Sequence, residues 1–567
     1  MKTTRQIFGC ADLAKLHVGP RKLEHRLSGV LMCGLHVPFE MVALEDARIF
    51  LRDEAAGPDD QQLLRDFAFV VDRKKKGGRR KVFFAERYGG LGIFNNGGGV
   101  RCGLSGEFQV KGIGLNPLLG RDTPSAYRTG AMGGVEALRE YVWSQLAESV
   151  LPYGSARVLA VIDTGIDYCP RRGAGFRRYL VVRESRARLA QLERATHFKP
   201  QWKGPMLHDS LRTKEGIDRL AGGDVESADP AVAMRLLEAL EKSALRHAKQ
   251  LACAKMRRIN HGALSSSNAC IDGAWIDFAS ASHSEHYSCG PAFLLGFWNE
   301  HEYLLHGLGN ICHSAELHST GLIAGQETFS GLVDKFRQEY MGTLAREACC
   351  LLGFEAGFLD GAKPPLMEHL RIVGNGLLDA ARSGKKFGAW KPGEEDAVEA
   401  TIPEQAVRVM CGIAAPESLG KHQLGQKFGS SLLEIGAAYL NSYTDSGTSP
   451  ELAVRGLLLD AARRSAYVPG LDADEMNSRL EAALDSGSPV GPVVAQLVLE
   501  GQTALAPRTT PDVTLCAGRE SIVYQVMRDS IAGTRFEQVE RSSRRFPSIT
   551  QAIVRRHSML AETATAA

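Results

Sequence analysis

GEFQVKGIG, residues 106–114, is the stretch on which the reading of the fold turns. Its aromatic and β-branched residues make it a strand, yet it carries Lys111, followed by Gly112 and Gly114. A lysine on the inward face of an apolar strand needs something to neutralise it. The candidate partner is Glu140, on GVEALREYVWSQLAESV (134–150), whose apolar residues recur at i, i+3 and i+4 as in an amphipathic helix. An exposed lysine at a strand end is the alternative.

Before this stretch, FAFVVD (67–72) and KVFFAERYGG (81–90) read as two strands joined by the basic turn RKKKGGRRK (73–81). A solvated hairpin tip accounts for that turn, with a local contact to an acidic partner as the alternative. Between Gly89 and Gly99 glycines would let backbone N–H groups approach an anion, and Arg101 follows at once. After the helix come two more strands, RVLAVIDTG (157–165) and RRYLVVRES (177–185). Residues 1–60 have no dominant period, and VPFEMVALEDARIFLRDE (37–54) is expected to contain helix. Beyond about residue 205 the segments read almost entirely as helices.

The second chemical stretch is RINHGALSSSNACIDGAWIDFAS (258–280). Asn268 and Asp277 stand nine apart across a short hairpin-like stretch, and an amide oxygen with a carboxylate suits magnesium. A Gly-rich segment, a strand lysine with a helix glutamate, and an Asn/Asp pair form the arrangement by which protein kinases hold nucleotide phosphates and metal. The expected class is therefore α+β, a two-lobed protein-kinase-like fold rather than one alternating sheet. Its divisions are an N-terminal extension (1–60), a strand-rich lobe with the Gly-rich segment (61–204), a helical lobe containing a metal-binding loop at 261–280 (205–505), and a loosely attached C-terminal extension (506–567).

Composition narrows the partners. Among 567 residues 44% are hydrophobic and 23% charged, close to globular averages. The 68 basic residues nearly cancel the 65 acidic ones, leaving +3, too little to steer the whole molecule onto nucleic acid or an anionic membrane. No run approaches the roughly 18 apolar residues of a membrane span. The opening MKTTRQIFGCADLAKLHVGPRK lacks a signal-peptide stretch, so a cytoplasmic protein is expected. The 12 cysteines, scattered without a CxxC pair, read as reduced and mostly buried.

Five motifs in order, YGG…GGGVR, FQVKGIG, TGAMGGVEALREY, VVRES…RATHF and HGALSSSNACIDGAWIDFAS, resemble the selenoprotein O family of kinase-fold proteins that transfer AMP rather than phosphate. The likeness spans roughly residues 85–280, so about two thirds of the chain lies outside it. It implies ATP as substrate, Mg2+ as cofactor and a protein or peptide acceptor. It further implies that Gly98, Arg101 and Gly130 contact the nucleotide, that Lys111 holds phosphates with Glu140 beside it, and that Asn268 and Asp277 bind the metal. Arg183 and Arg194 match two arginines that hold the terminal phosphate of a reversed nucleotide, leaving the α-phosphate exposed. Thr129 stands where the family has an acid, and its C-terminal redox motif is absent, with Cys516 alone.

The departure of most consequence is Ser267, where the family has an aspartate that accepts a proton. Serine is no base near pH 7, whereas a carboxylate acceptor is already deprotonated and needs none. Acyl-adenylate formation is therefore the sharper expectation. Divergent sequences of this type are similar to maturation proteins encoded with siderophore-peptide microcins, which would add a partner maturation enzyme. A nucleotide-binding pseudoenzyme that activates a partner is the alternative. Two further readings remain: a subtilisin-like triad of Asp163, His318 and Ser449, and a zinc-like spacing of His283, His286 and Cys289.

Overall fold

The structure is a computed structural model, and it describes residues 34–55, 57–72, 77–124, 128–168, 175–202, 206–288, 296–383, 387–396, 399–422, 424–445, 449–487, 489–508, 513–517, 520–524 and 548–562. The strands are β1 (His36–Ala43), β2 (Arg48–Arg52), β3 (Phe69–Val70), β4 (Arg80–Glu86), β5 (Cys102–Ser105), β6 (Phe108–Lys111), β7 (Val158–Tyr168) and β8 (Phe176–Glu184). They form one antiparallel sheet in the order β2-β7-β8-β6-β5-β4-β1-β3. Two helices lie within this region, α1 (Asp60–Phe67) and α2 (Gly134–Val150).

Alternation along the strands sorts the two faces. Val110, Ala160, Ile162, Leu180 and Val182 join Leu63 and Phe67 of α1 in one apolar cluster. Tyr179, Val181, Val158 and Val161 turn the other way and pack with Leu138, Val142 and Leu146 of α2. Lys111 and Arg183 belong by the same alternation to the α2 face. Register does the rest: Gln109 lies opposite Arg183, and Lys111 opposite Val181.

Two expectations are corrected here. VPFEMVALEDARIFLRDE holds no helix; it supplies β1 and β2. Phe39, Met41 and Ala43 alternate onto the α1 side of the sheet, where Met41 and Ala43 are buried, a strand pattern disguised by the charged loop between β1 and β2. The expected hairpin of FAFVVD with KVFFAERYGG does not form either, because β1 lies between β3 and β4 and pairs with both. The sheet thus begins at His36, inside the segment expected to be an extension.

From Asp209 onward the described chain is mainly helical: α3 (Asp209–Ala221), α4 (Pro230–Met256), α5 (His301–His318), α6 (Gly325–Cys350), α7 (Ala356–Asp360), α8 (Leu366–Arg382), α9 (Ile402–Met410), α10 (Gln426–Thr444), α11 (Pro450–Ser465), α12 (Ala473–Asp485), α13 (Gly491–Leu505) and α14 (Ser548–Glu562). The long α4 starts where its sequence dictates, with the Asp229 side chain accepting from Ala231 N and Pro230 in the first turn. Between α4 and α5 a two-stranded ribbon, β9 (Ile259–Asn260) with β10 (Ser282–His283), brackets the loop that carries Asn268 and Asp277. A continuous core runs from α2 through the helices to Leu560. Among the described residues no helix is long and apolar enough to cross a membrane.

Within the C-terminal segment α14 is not loosely attached; residues 509–512, 518–519, 525–547 and 563–567 lie outside the described residues. In α14 the guanidinium of Arg556 is fully buried and donates to both oxygens of Glu404 at 3.1 and 2.8 Å. Glu404 also accepts from Thr401 N at 2.7 Å in the capping box that starts α9. One carboxylate therefore starts one helix and docks another. Replacing one member of a buried pair leaves the other charge uncompensated. Arg556→Met should lower the unfolding free energy by about 3 kcal/mol, read from urea unfolding followed by circular dichroism. A loss below ~1 kcal/mol, the range of an exposed pair, would contradict the docking of α14.

Candidate functional site

The strand lysine finds its helix partner. Lys111 Nζ donates to Glu140 Oε1, and both side chains are almost completely buried. It also donates to Asp277 Oδ1 at 2.6 Å, so the two chemical stretches of the sequence meet in one cluster. The route of the chain explains why. Ile276 N donates to Asn268 O and Ala269 bridges Trp275, which closes a tight hairpin with Asn268 and Asp277 at its two ends. Asp277 has a left-handed backbone, φ 69°. His261 Nε2 lies 2.9 Å from Ile276 O and fixes the same corner from the ribbon side.

Two arginines wall the cluster. Arg183 Nη1 donates to Asp277 Oδ1 at 2.9 Å and to Glu140 Oε2 at 3.1 Å, while its Nε reaches Gln109 Oε1, the residue facing it across the strand pair, at 2.9 Å. Arg188 Nη1 donates to Asp277 Oδ2 at 3.0 Å and to Ser267 O at 2.7 Å, and its guanidinium lies 5.0 Å from the Tyr88 ring centroid. Glu86, buried behind, accepts from Gln109 and Gln191 and stands 3.7 Å from Arg188 Nε. At the rim Arg101 pairs with Glu136 at 2.5 Å, and Glu136 lies 4.0 Å from Lys111.

These charges set the protonation states. Burial opposes ionisation of Asp277, but the charges of Arg183, Lys111 and Arg188, with the Lys111 hydrogen bond, override it and hold the carboxyl well below its usual range. Burial raises Glu86, only partly offset by Arg188 and Arg183. In Glu136 burial is overcome by Arg101 and Lys111, and the carboxyl is lowered.

Not every expected residue joins. Arg194 Nε donates to Asp209 Oδ2 at 3.1 Å, away from the Lys111 cluster, and Asp209 also holds Arg212. Gly98 and Gly130 serve the backbone: a Cβ on Gly98 would stand 2.1 Å from Glu86 O, and one on Gly130 2.6 Å from the Gly114 backbone. Asn268 Nδ2 donates to Ala263 O at 2.8 Å, a bond that does not use its amide oxygen. Asn268 and Asp277 thus present an amide oxygen and a carboxylate, the hard donors that magnesium takes. Ser267 Oγ lies 2.8 Å from Ser265 Oγ and 3.4 Å from Leu91 O, which places the Gly-rich segment against this turn.

Arg188, Gln109, Glu86 and Glu136 were not singled out from the sequence. Arg188 follows a strand in an irregular stretch with no period to orient it; its one signal is a basic residue opening the apolar run RLAQL. The rival constellations do not assemble. Both oxygens of Asp163 are held by Arg48 and Arg177, His318 lies 3.3 Å from the Thr213 hydroxyl, and Ser449 precedes α11; among the described residues no hydrogen bond joins the three. His283 stacks on Tyr467, His286 lies beside Glu285, and Cys289 lies outside the described residues. Among the described residues no three His, Cys, Asp or Glu side chains are grouped to hold a metal. Comparison with protein-family models and with curated proteins returned no match.

The depressed value of Asp277 makes a stability prediction. Its folded-state value lies below the unfolded one, so the contribution is fully present above about pH 4 and is lost as pH falls from there toward the folded value. Asp277→Asn should cost about 3 kcal/mol near neutrality, and the gap to wild type should narrow only below about pH 4. Urea midpoints of both proteins between pH 2.5 and 7 measure this; a gap that closes between pH 5 and 7 would contradict the assigned contacts.

Proposed function

We propose that this chain binds ATP with Mg2+ in the cleft around Lys111 and transfers AMP to a protein or peptide acceptor. One observation carries the reading: Lys111 of β6, Glu140 of α2 and Asp277 of the hairpin share a hydrogen-bonded cluster walled by Arg183 and Arg188. The order of parts supports a kinase-like lobe. A Gly-rich segment separates β4 from β5, the lysine lies on the next strand and the glutamate on the following helix, as in protein kinases.

In this reading Lys111, Arg183 and Arg188 bind phosphate oxygens, and Glu140 keeps Lys111 and Arg183 in place. Asn268 and Asp277 would hold Mg2+, which when bound offsets negative charge on the phosphates. Arg188 takes the position that the resemblance gave to Arg194. The acceptor oxygen forms a bond to the α-phosphorus, the bond from that phosphorus to the bridging oxygen breaks, and pyrophosphate leaves with the electron pair. Ser267 offers a hydroxyl already engaged with Ser265 and Leu91, not a base. A carboxylate acceptor fits that environment, because it brings no proton to remove. The same serine favours a second reading, a nucleotide-binding protein that activates a partner enzyme without transfer.

Pyrophosphate release from Mg-ATP, measured with peptides bearing a free or an amidated C-terminus, tests the proposal. The expected result is release with the free acid alone, and a flat or lower rate in Ser267→Asp. With a hydroxyl acceptor, restoring a base should instead raise the rate ~100-fold. Release that is equal with the amidated peptide and rises in Ser267→Asp would replace the acyl-adenylate reading by hydroxyl transfer. No release with any peptide, alongside tight Mg-ATP binding, would favour the partner-activating reading.

A further inference from the structure

Asp277 is bonded as a phosphate oxygen would be. Its Oδ1 accepts from Lys111 Nζ and Arg183 Nη1, and its Oδ2 from Arg188 Nη1, at 2.6, 2.9 and 3.0 Å. Three cations converge on it, and three carboxylates, Glu86, Glu140 and Asp277, lie within their reach. The rim pair Arg101 with Glu136 adds one of each. Each of the three cations is therefore already balanced by a carboxylate inside the cluster, Glu140 on Lys111 and Arg183 and Asp277 on all three.

That balance restricts what can enter. A divalent cation alone would have to draw Asp277 from three donors, leaving Lys111 and Arg183 to share the one carboxylate of Glu140 and Arg188 with only Glu86, 3.7 Å away. A polyphosphate alone would face a carboxylate on the donors it needs, and displacing it would leave a buried carboxylate beside new negative charge. Either exchange carries the cost of an unpaired buried ion. Entry of both at once re-pairs everything: the carboxylate turns to the metal and the three cations turn to phosphate oxygens.

Resting on the reading above, we propose that Asp277 is a built-in competitor for the phosphate donors, so that the cleft takes a divalent metal and a polyphosphate as one unit and neither alone. The ligand class is a metal chelate of a nucleoside polyphosphate. Asp277 would then set metal dependence by exclusion as well as by ligation. Removing its charge should make binding of metal-free nucleotide stronger, the opposite of what simple loss of a ligand gives.

Equilibrium binding of ATP by the full chain, in excess EDTA and in excess Mn2+, tests this with wild type and Asp277→Asn. Wild type should bind ATP at least 10-fold more weakly in EDTA than in Mn2+. Asp277→Asn should bind ATP in EDTA at least 10-fold more tightly than wild type does, with little further gain from Mn2+. Equal affinities of the two proteins in EDTA, with wild type still binding Mn-ATP, would overturn the inference and leave the site reading standing. Absence of Mn-ATP binding by wild type would overturn both. A second measurement needs no variant: electron paramagnetic resonance of Mn2+ with wild type alone should show no bound ion at millimolar metal, and tight binding of Mn2+ alone would overturn the inference.

Discussion

A lysine carried inward on an apolar strand must be neutralised, and much of this site follows from how that is done. Lys111 alternates onto the α2 face of β6, where Glu140 meets it from the helix and Asp277 from the hairpin. Once that ion cluster exists, its neighbours are constrained. Gln109 must accept from Arg183 across the register, Arg188 must reach Asp277 and Ser267 O, and Glu86 must be bonded by Gln109 and Gln191 to be buried at all. A buried ion of either sign is costly without its partner, so the sheet, α2 and the hairpin are tied to one another by charge as well as by apolar packing.

The cluster also explains how elements far apart in sequence reach one site. The sheet supplies Lys111 and Arg183, the irregular segment after β8 supplies Arg188, α2 supplies the helix carboxylate, and the α4–α5 connection supplies Asp277. That connection is itself anchored by a buried ion pair: Glu300 accepts from Lys255 Nζ and from Gly262 N, each at 2.6 Å. The result is a hairpin whose two ends are held differently: the Asn268 amide nitrogen donates to Ala263 O, and both carboxylate oxygens of Asp277 accept from the three cations.

Much of this was legible in the sequence, and the reasons are physical. A lysine in a strand, a glutamate on an amphipathic helix and an Asn/Asp pair around a Gly turn are local patterns with strong priors, and the structure joins Lys111, Glu140 and Asp277 directly. What was not legible depended on long-range pairing. β1 and β2 look helical in a charged window because only the sheet decides which of their residues face inward. The hairpin expected around residues 73–81 failed because β1, more than 25 residues upstream, inserts between its arms. Arg188 outranks Arg194 in the cluster through the irregular path after β8, which no periodicity encodes. The docking of α14 rests on one buried arginine finding a capping glutamate some 150 residues away.

The claim at the centre is that Lys111 faces nucleotide phosphates. The most direct measurement is mass-spectrometric location of the lysine acylated by an acyl-phosphate derivative of ATP, with and without competing Mg-ATP. The account requires Lys111 to be modified and to be protected by Mg-ATP, with Lys111→Arg unlabelled at that position and no other lysine protected. Modification confined to exposed lysines and indifferent to Mg-ATP would contradict it.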